Sequence, residues 1–185
     1  MKTLIINGSP RRNGDTVSLL NILKDNLQGE IREVSAYYDE ISPCVDCRYC
    51  WKHGECCIKD DMDLIYGDDY DNLIIASPIY VSNLTGPLMS LGSRLQAYYV
   101  AKQFLGIEKE LKDKTGVLML VGGGDGSPDR AVKYAQWMFK KLNAKINDDN
   151  MVFSLKTNEC PAIKDDVAIS KIKQIALKLN GLQSS

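Results

Sequence analysis

The stretch Thr3-Leu4-Ile5-Ile6-Asn7-Gly8-Ser9-Pro10-Arg11-Arg12-Asn13-Gly14-Asp15-Thr16 joins an unbroken apolar run to a polar turn and then to a helix start. A short continuous run of Leu and Ile marks a strand buried on both faces. From Thr16 to Leu27 the apolar residues Val17, Leu20, Leu23 and Leu27 recur at helical spacing, so the polar turn connects a buried strand to an amphipathic helix. Free N–H groups at that helix start, the hydroxyls of Ser9 and Thr16, and the guanidinium of Arg11 or Arg12 together suit a phosphate. The turn carries neither the Gly-Lys-Ser/Thr of a Walker loop nor G-x-G-x-x-G. A polar turn in which Asp15 or Thr16 simply caps the helix is the alternative.

Outward from this unit the same alternation repeats. Glu30–Ser35 reads as a weaker second strand, and Asp60 and Asp61 as the cap of a short helix through Tyr66. Asn72–Ser77 is a third strand, followed by a long helical region from about Pro87 to Tyr99 with a charged continuation to Lys114. Gly116–Val121 is a fourth strand, and Ser127-Pro128-Asp129 opens a helix running to about Leu142. Asn150–Leu155 is a fifth strand and Val167–Leu179 a closing helix. Strands separated by helices imply parallel pairing with right-handed crossovers, hence a doubly wound α/β sheet covered on both faces. Residues 1–185 are expected to form a single domain, with a cysteine-rich loop at about 43–60.

In the strand order 2-1-3-4-5, strands one, three and four are neighbours, and ligands bind beyond their carboxyl ends. The loops there are Gly8–Thr16, Ser77-Pro78-Ile79-Tyr80-Val81-Ser82-Asn83 and Gly122-Gly123-Gly124-Asp125-Gly126. The first supplies phosphate donors, the second a tyrosine and polar backbone, and the third glycines that let backbone approach a flat ring. That set suits flavin mononucleotide (FMN).

Five of the six cysteines fall within Cys44-Val-Asp-Cys47-Arg-Tyr-Cys50-Trp-Lys-His-Gly-Glu-Cys56-Cys57. Two-residue gaps turn successive sulfurs toward one point, and a longer gap closes the shell. Three successive cysteines at such gaps are closer to iron–sulfur spacing than to the paired ligands of a structural zinc. Thiols holding no metal remain the second reading, zinc the third, and a disulfide framework the least fitting in a reducing compartment. The 4Fe-4S reading takes Cys44, Cys47, Cys50 and Cys56 as ligands, with Cys57 a spare or alternate one. Cys160 before Pro161 is expected to be an inert core thiol, and His53 a solvated loop residue. Trp51 is expected to pack the loop onto the body of the protein. The second strand should leave the sheet at the edge the flavin loops share, which would let a cluster pass single electrons to the flavin.

The chain is 185 residues long, 44% hydrophobic, with formal charge -1. That balance gives no basic field for nucleic acid, and no apolar run reaches the roughly 20 residues of a membrane span. The short apolar N-terminal run does not suit a signal peptide, so a cytoplasmic protein is expected. One histidine within a cysteine loop leaves no Ser/His/Asp or Cys/His set, so hydrolysis is not expected and no catalytic acid or base is assigned.

These motifs resemble those of the flavodoxin-like NAD(P)H-dependent FMN reductases, and among them the iron–sulfur flavoproteins. The carriers are Gly8–Thr16, Ser77-Pro-Ile-Tyr80 with Gly86-Pro87-Leu88, and Cys44-x2-Cys47-x2-Cys50-x5-Cys56. The resemblance implies that Ser9, Arg11, Thr16 and the neighbouring Arg12, Asn13, Gly14, Asp15 and Val17 hold the FMN phosphate. It implies that Pro78, Ile79, Tyr80, Ser82 and Asn83 edge the ribityl chain and ring, and that Gly122, Gly123, Gly124 and Asp125 cover the ring's other side. It also implies NAD(P)H or ferredoxin as electron donor, a small acceptor such as a quinone, and a homodimer or homotetramer that shields an otherwise open ring. An electron carrier or redox sensor without its own substrate, or a plain FMN reductase lacking the cluster, is the alternative. Asp15 stands where the family has asparagine, which puts an anion beside a phosphate unless the carboxylate points away or is protonated. Ser93 replaces the aspartate common before Arg94.

Overall fold

The computed structural model describes residues 1–124 and 126–182. Lys2–Asn7 forms β1, Asp15–Asn26 α1 and Glu30–Ser35 β2. The short helices Cys50–His53 (α2) and Asp63–Tyr66 (α3) precede Asn72–Pro78 (β3). Gly86–Ser93 (α4), Gln96–Leu105 (α5) and Lys114–Val121 (β4) follow. The chain continues with Asp129–Lys141 (α6), Ala144–Lys145 (β5), Met151–Ser154 (β6) and Asp166–Leu179 (α7). All strand pairs are parallel, in the order β2-β1-β3-β4-β5, with β6 also on β4. This is the doubly wound flavodoxin-like arrangement.

The pleat sorts side chains to two cores. Leu4 and Ile6 of β1, Leu73 and Ile75 of β3, and Leu118 and Leu120 of β4 pack under α3, α4 and α6. Ile5, Ile74, Ala76, Val117 and Met119 point the other way, against Leu19, Leu20 and Leu23 of α1 and Ile172 and Ile175 of α7. No helix among the described residues is long and apolar enough to cross a membrane.

Two elements differ from the sequence expectation. The fifth strand is split: β5 pairs with Lys114 and Thr115, and β6 with Leu118 to Val121. Between them, opposite Gly116, Phe139 lies 3.0 Å from where a glycine Cβ would be, and Asn150 Nδ2 donates to the Gly116 carbonyl at 3.2 Å. A side chain thus takes over one rung of the ladder while the backbone turns through residues 148–150. The long helix expected after Pro87 is broken between α4 and α5. Arg94 and Leu95 donate to carbonyls three residues back, and the Arg94 side chain is buried beneath the cysteine loop. The charged continuation to Lys114 is not helical: Gly106 ends α5 at φ 66° and β4 begins at Lys114 itself.

Candidate functional site

The loops after β1, β3 and β4 meet beyond the strand ends around a cleft of about 210 Å³. Ser9, Pro10, Arg11, Gly14, Asp15 and Thr16 line one side, Pro78, Ile79 and Tyr80 another, and Val121 and Gly123 a third. Backbone bonds tie these loops to one another. Gly8 N donates to Ala76 O at 2.7 Å, Ile79 N to Val121 O at 2.7 Å, and the buried Thr85 hydroxyl to Gly8 O at 2.9 Å. A Cβ on Gly8 would lie 2.7 Å from Leu88 Cδ2, so only glycine lets α4 come this close.

The turn after β1 carries groups that could hold an anion. The Asn7 carboxamide oxygen accepts from Ser9 N at 2.9 Å, and Ser9 Oγ exchanges bonds with the Arg11 backbone at 3.1 and 3.2 Å. No side chain caps α1, which leaves its first N–H groups for a ligand, with the buried Ser9 and Thr16 hydroxyls beside them. Asp15 does not oppose that anion. Its Oδ1 accepts from Ala162 N at 2.8 Å, on the turn that leads into α7. The carboxylate therefore points away from the cradle, the first of the two arrangements its position allows.

Arg12 is turned aside as well. Its guanidinium stacks 3.9 Å over the Tyr38 ring, and the Tyr38 hydroxyl bonds Pro10 O, which pins the turn to the segment after β2. Arg12, Asn13, Val17, Ser82, Asn83, Gly122 and Gly124 lie outside the cleft lining, and Asp125 lies outside the described residues. Tyr80 and Asn83 exchange two backbone bonds of 2.9 Å across Val81 and Ser82, both with left-handed φ of 52° and 60°. The β3 loop is thus a two-residue turn with a β-branched residue in strained backbone.

Thr157 and Asn158 complete the cleft. The segment after β6 folds back, with Lys156, Thr157 and Asn158 N–H donating to Gly124, Gly122 and Gly123 carbonyls at 3.2, 3.0 and 3.1 Å. A Cβ on Gly123 would lie 2.9 Å from Asn158 Oδ1. Gly123 is thus needed by a protein segment that sequence reasoning missed, and no local signal in Thr157-Asn158 announces it.

All five clustered cysteines line a second cavity, together with Arg48, Trp51, Ile58, Arg94, Gln96, Ala97 and Val100. At about 30 Å³ it admits a water, not a cluster, so the loop must open to take one. Among the described residues no three His, Cys, Asp or Glu side chains stand in a ready metal-binding arrangement. The residue set itself fits iron and sulfur: five cysteines line one space, with no histidine lining it. Cys47 and Cys57 sulfurs are 3.4 Å apart. The Tyr49 backbone N–H and then Cys57 hold the Cys47 thiol below its ordinary value, whereas burial raises Cys50. Asp46 and Arg48, on either side of Cys47, both have left-handed backbone, with φ of 49° and 58°.

Trp51 stacks on Phe104 at 4.2 Å, fixing the loop to α5, and His53 stacks on Tyr49 at 4.0 Å in solvent. Cys160 is exposed, not a core thiol: Pro161 turns the chain at the surface and Ala162 is buried in its place.

Arg94 closes the cysteine loop. Its Nη1 donates to Ser42 O and Asp60 Oδ2, both at 2.8 Å, and its Nη2 to Ile58 O at 3.0 Å and Asp60 Oδ1 at 3.3 Å. Ser93 Oγ accepts from Cys44 N at 3.3 Å. Burial opposes ionisation of Asp60, but Arg94 and the backbone N–H groups of Ser42 and Met62 outweigh it and hold the carboxyl below the usual range. The cysteine cavity and the cleft beyond the strand ends share no lining residue. Helix α4 runs between them, starting beside Thr85 at the cleft and ending at Ser93 under the cysteines, about 12 Å at 1.5 Å per residue.

The parallel sheet and the loop-lined cleft at its strand ends define a flavodoxin-like class. Residues 1–157 match the family model for NADPH-dependent FMN reductase, and the chain belongs to that family. It is similar to an iron–sulfur flavoprotein of Methanocaldococcus jannaschii, 38% identical over 129 residues, covering 66% of this chain and 62% of the relative. An iron–sulfur flavoprotein of Methanosarcina thermophila is 27% identical over 186 residues, covering 97% of this chain and 93% of that one. The match spans less than two thirds of the first relative's length. Among solved structures, an FMN-dependent NADH-azoreductase from Bacillus anthracis in complex with FMN superposes with TM-score 0.67 at 18% identity, over 97% of this chain and all of that one.

Proposed function

We propose that this protein is an FMN-dependent oxidoreductase of the iron–sulfur flavoprotein type. Electrons pass from NAD(P)H or ferredoxin to a small acceptor such as a quinone. The observation that carries the reading is the convergence of three loops on one cleft, with an uncapped helix start and buried Ser9 and Thr16 at its phosphate end. Ser9, Arg11, Thr16 and the first amides of α1 would hold the phosphate. Pro78, Ile79, Tyr80 and Gly123 would bracket the ring, and Cys44, Cys47, Cys50 and Cys56 would hold a 4Fe-4S cluster. Bound FMN supplies two-electron hydride chemistry, and a cluster supplies single-electron chemistry. The chain's part is to bind and orient these groups, and no side chain has to move a proton.

The cleft is open at Tyr80 and at Val81, which is 93% exposed. Apolar Val45, Phe104 and Ile107 are about half exposed or more near the cysteine loop. A second copy covering these faces, in a cytoplasmic homodimer or homotetramer, agrees with both. The other reading, an electron carrier or redox sensor, draws on the separation of the two cavities by α4. Steady-state NAD(P)H oxidation with a quinone acceptor tests the enzyme reading. Turnover with the quinone alone is expected; turnover only when a protein partner is added would leave the carrier.

A further inference from the structure

Arg94 is 1% exposed, yet the mechanism above gives it no task. A guanidinium has five N–H donors in a rigid fork. The two terminal nitrogens are committed to Ser42 O and Ile58 O, which bracket the cysteine loop, and to Asp60. The fifth donor, Nε–H, is buried without any partner in the protein. An orphaned buried donor costs about 1–3 kcal/mol. Arg94 also lines the cavity that the five cysteines line.

We infer that Arg94 is a positioning residue for the cysteine site: its terminal nitrogens fix the two ends of the loop, and its Nε–H is reserved for a sulfur of the cluster that the thiols hold. The inference rests on the cluster reading above. Loss of such an outer contact weakens metal retention about tenfold or more. Hydrogen bonds to cluster sulfurs also set the reduction potential, and removing one disfavours the more negative, reduced state.

The test compares wild type with Arg94→Lys, which keeps the charge but not the fork. Both are reconstituted anaerobically with iron and sulfide, challenged with a ferrous chelator and titrated for cluster potential, with FMN per chain as the check on folding. Arg94→Lys should keep its FMN, lose iron about tenfold faster and show a more negative potential. Retention and potential equal to wild type would overturn the inference alone. Wild type that takes up no iron would overturn the cluster reading and the inference together. Should Arg94→Lys lose FMN as well, Asp60→Asn decides: it loosens the clamp but leaves Nε–H, so faster iron loss at unchanged potential is expected, and wild-type retention overturns the assignment.

Discussion

The flavin cleft and the cysteine cavity sit at opposite ends of α4 and are held together by different means. The cleft is assembled from backbone: Gly8 to Ala76, Ile79 to Val121, and three donors from residues 156–158 to the glycine loop. Such bonds join the loops to one another just beyond the strand ends. The cysteine loop has few such ties to the sheet and depends on side chains, chiefly Arg94, with Asp60, Ser93 and the Trp51–Phe104 stack beside it. One site is therefore held mainly by main-chain bonds between loops, the other mainly by side chains.

That contrast can be broken from either side. The largest effect is expected from Cys50→Ser, which should abolish iron binding while FMN per chain stays unchanged; loss of both would show that the cysteine loop supports the cleft. Next comes Asp60→Ala, which leaves the buried Arg94 charge unpaired and should cost about 3 kcal/mol in denaturant unfolding at neutral pH. Because Asp60 is held below its ordinary value, its contribution is present above the unfolded carboxylate pKa of about 3.9 and is lost as pH falls through the folded value. The gap between wild type and Asp60→Ala should therefore close in acid, and a gap that widens there would contradict the ion pair. Gly123→Val forces a side chain against Asn158, at an overpacking cost of about 2 kcal/mol. FMN titration should give about thirtyfold weaker binding, with iron content unchanged. The smallest effect is a gain. Val81→Gly relieves left-handed strain and should raise stability by about 1 kcal/mol, seen as a higher Tm.

The same contrast explains what the sequence disclosed. The sheet was legible because Thr3–Asn7, Asn72–Ser77 and Gly116–Val121 are apolar runs whose burial is decided locally. The cleft residues Ser9, Arg11, Thr16, Pro78, Ile79, Tyr80 and Gly123 followed, because loops after neighbouring parallel strands must meet. Contacts between distant segments were not legible. Nothing near Arg12 announces Tyr38, nothing near Gly123 announces Asn158, and nothing in α1 tells Asp15 to face Ala162. Arg94 was hidden for the same reason, since apolar spacing runs across it without interruption and its partners lie 34 to 52 residues away.

The central claim is that one chain carries two cofactor sites, a backbone-built flavin cleft and a cysteine site braced by Arg94. The most direct test is to assay FMN, iron and acid-labile sulfide per chain in anaerobically purified protein. About one FMN with about four irons and matching sulfide is expected. Zinc without iron, or FMN bound beside cysteines that take up no metal after reconstitution, would contradict it.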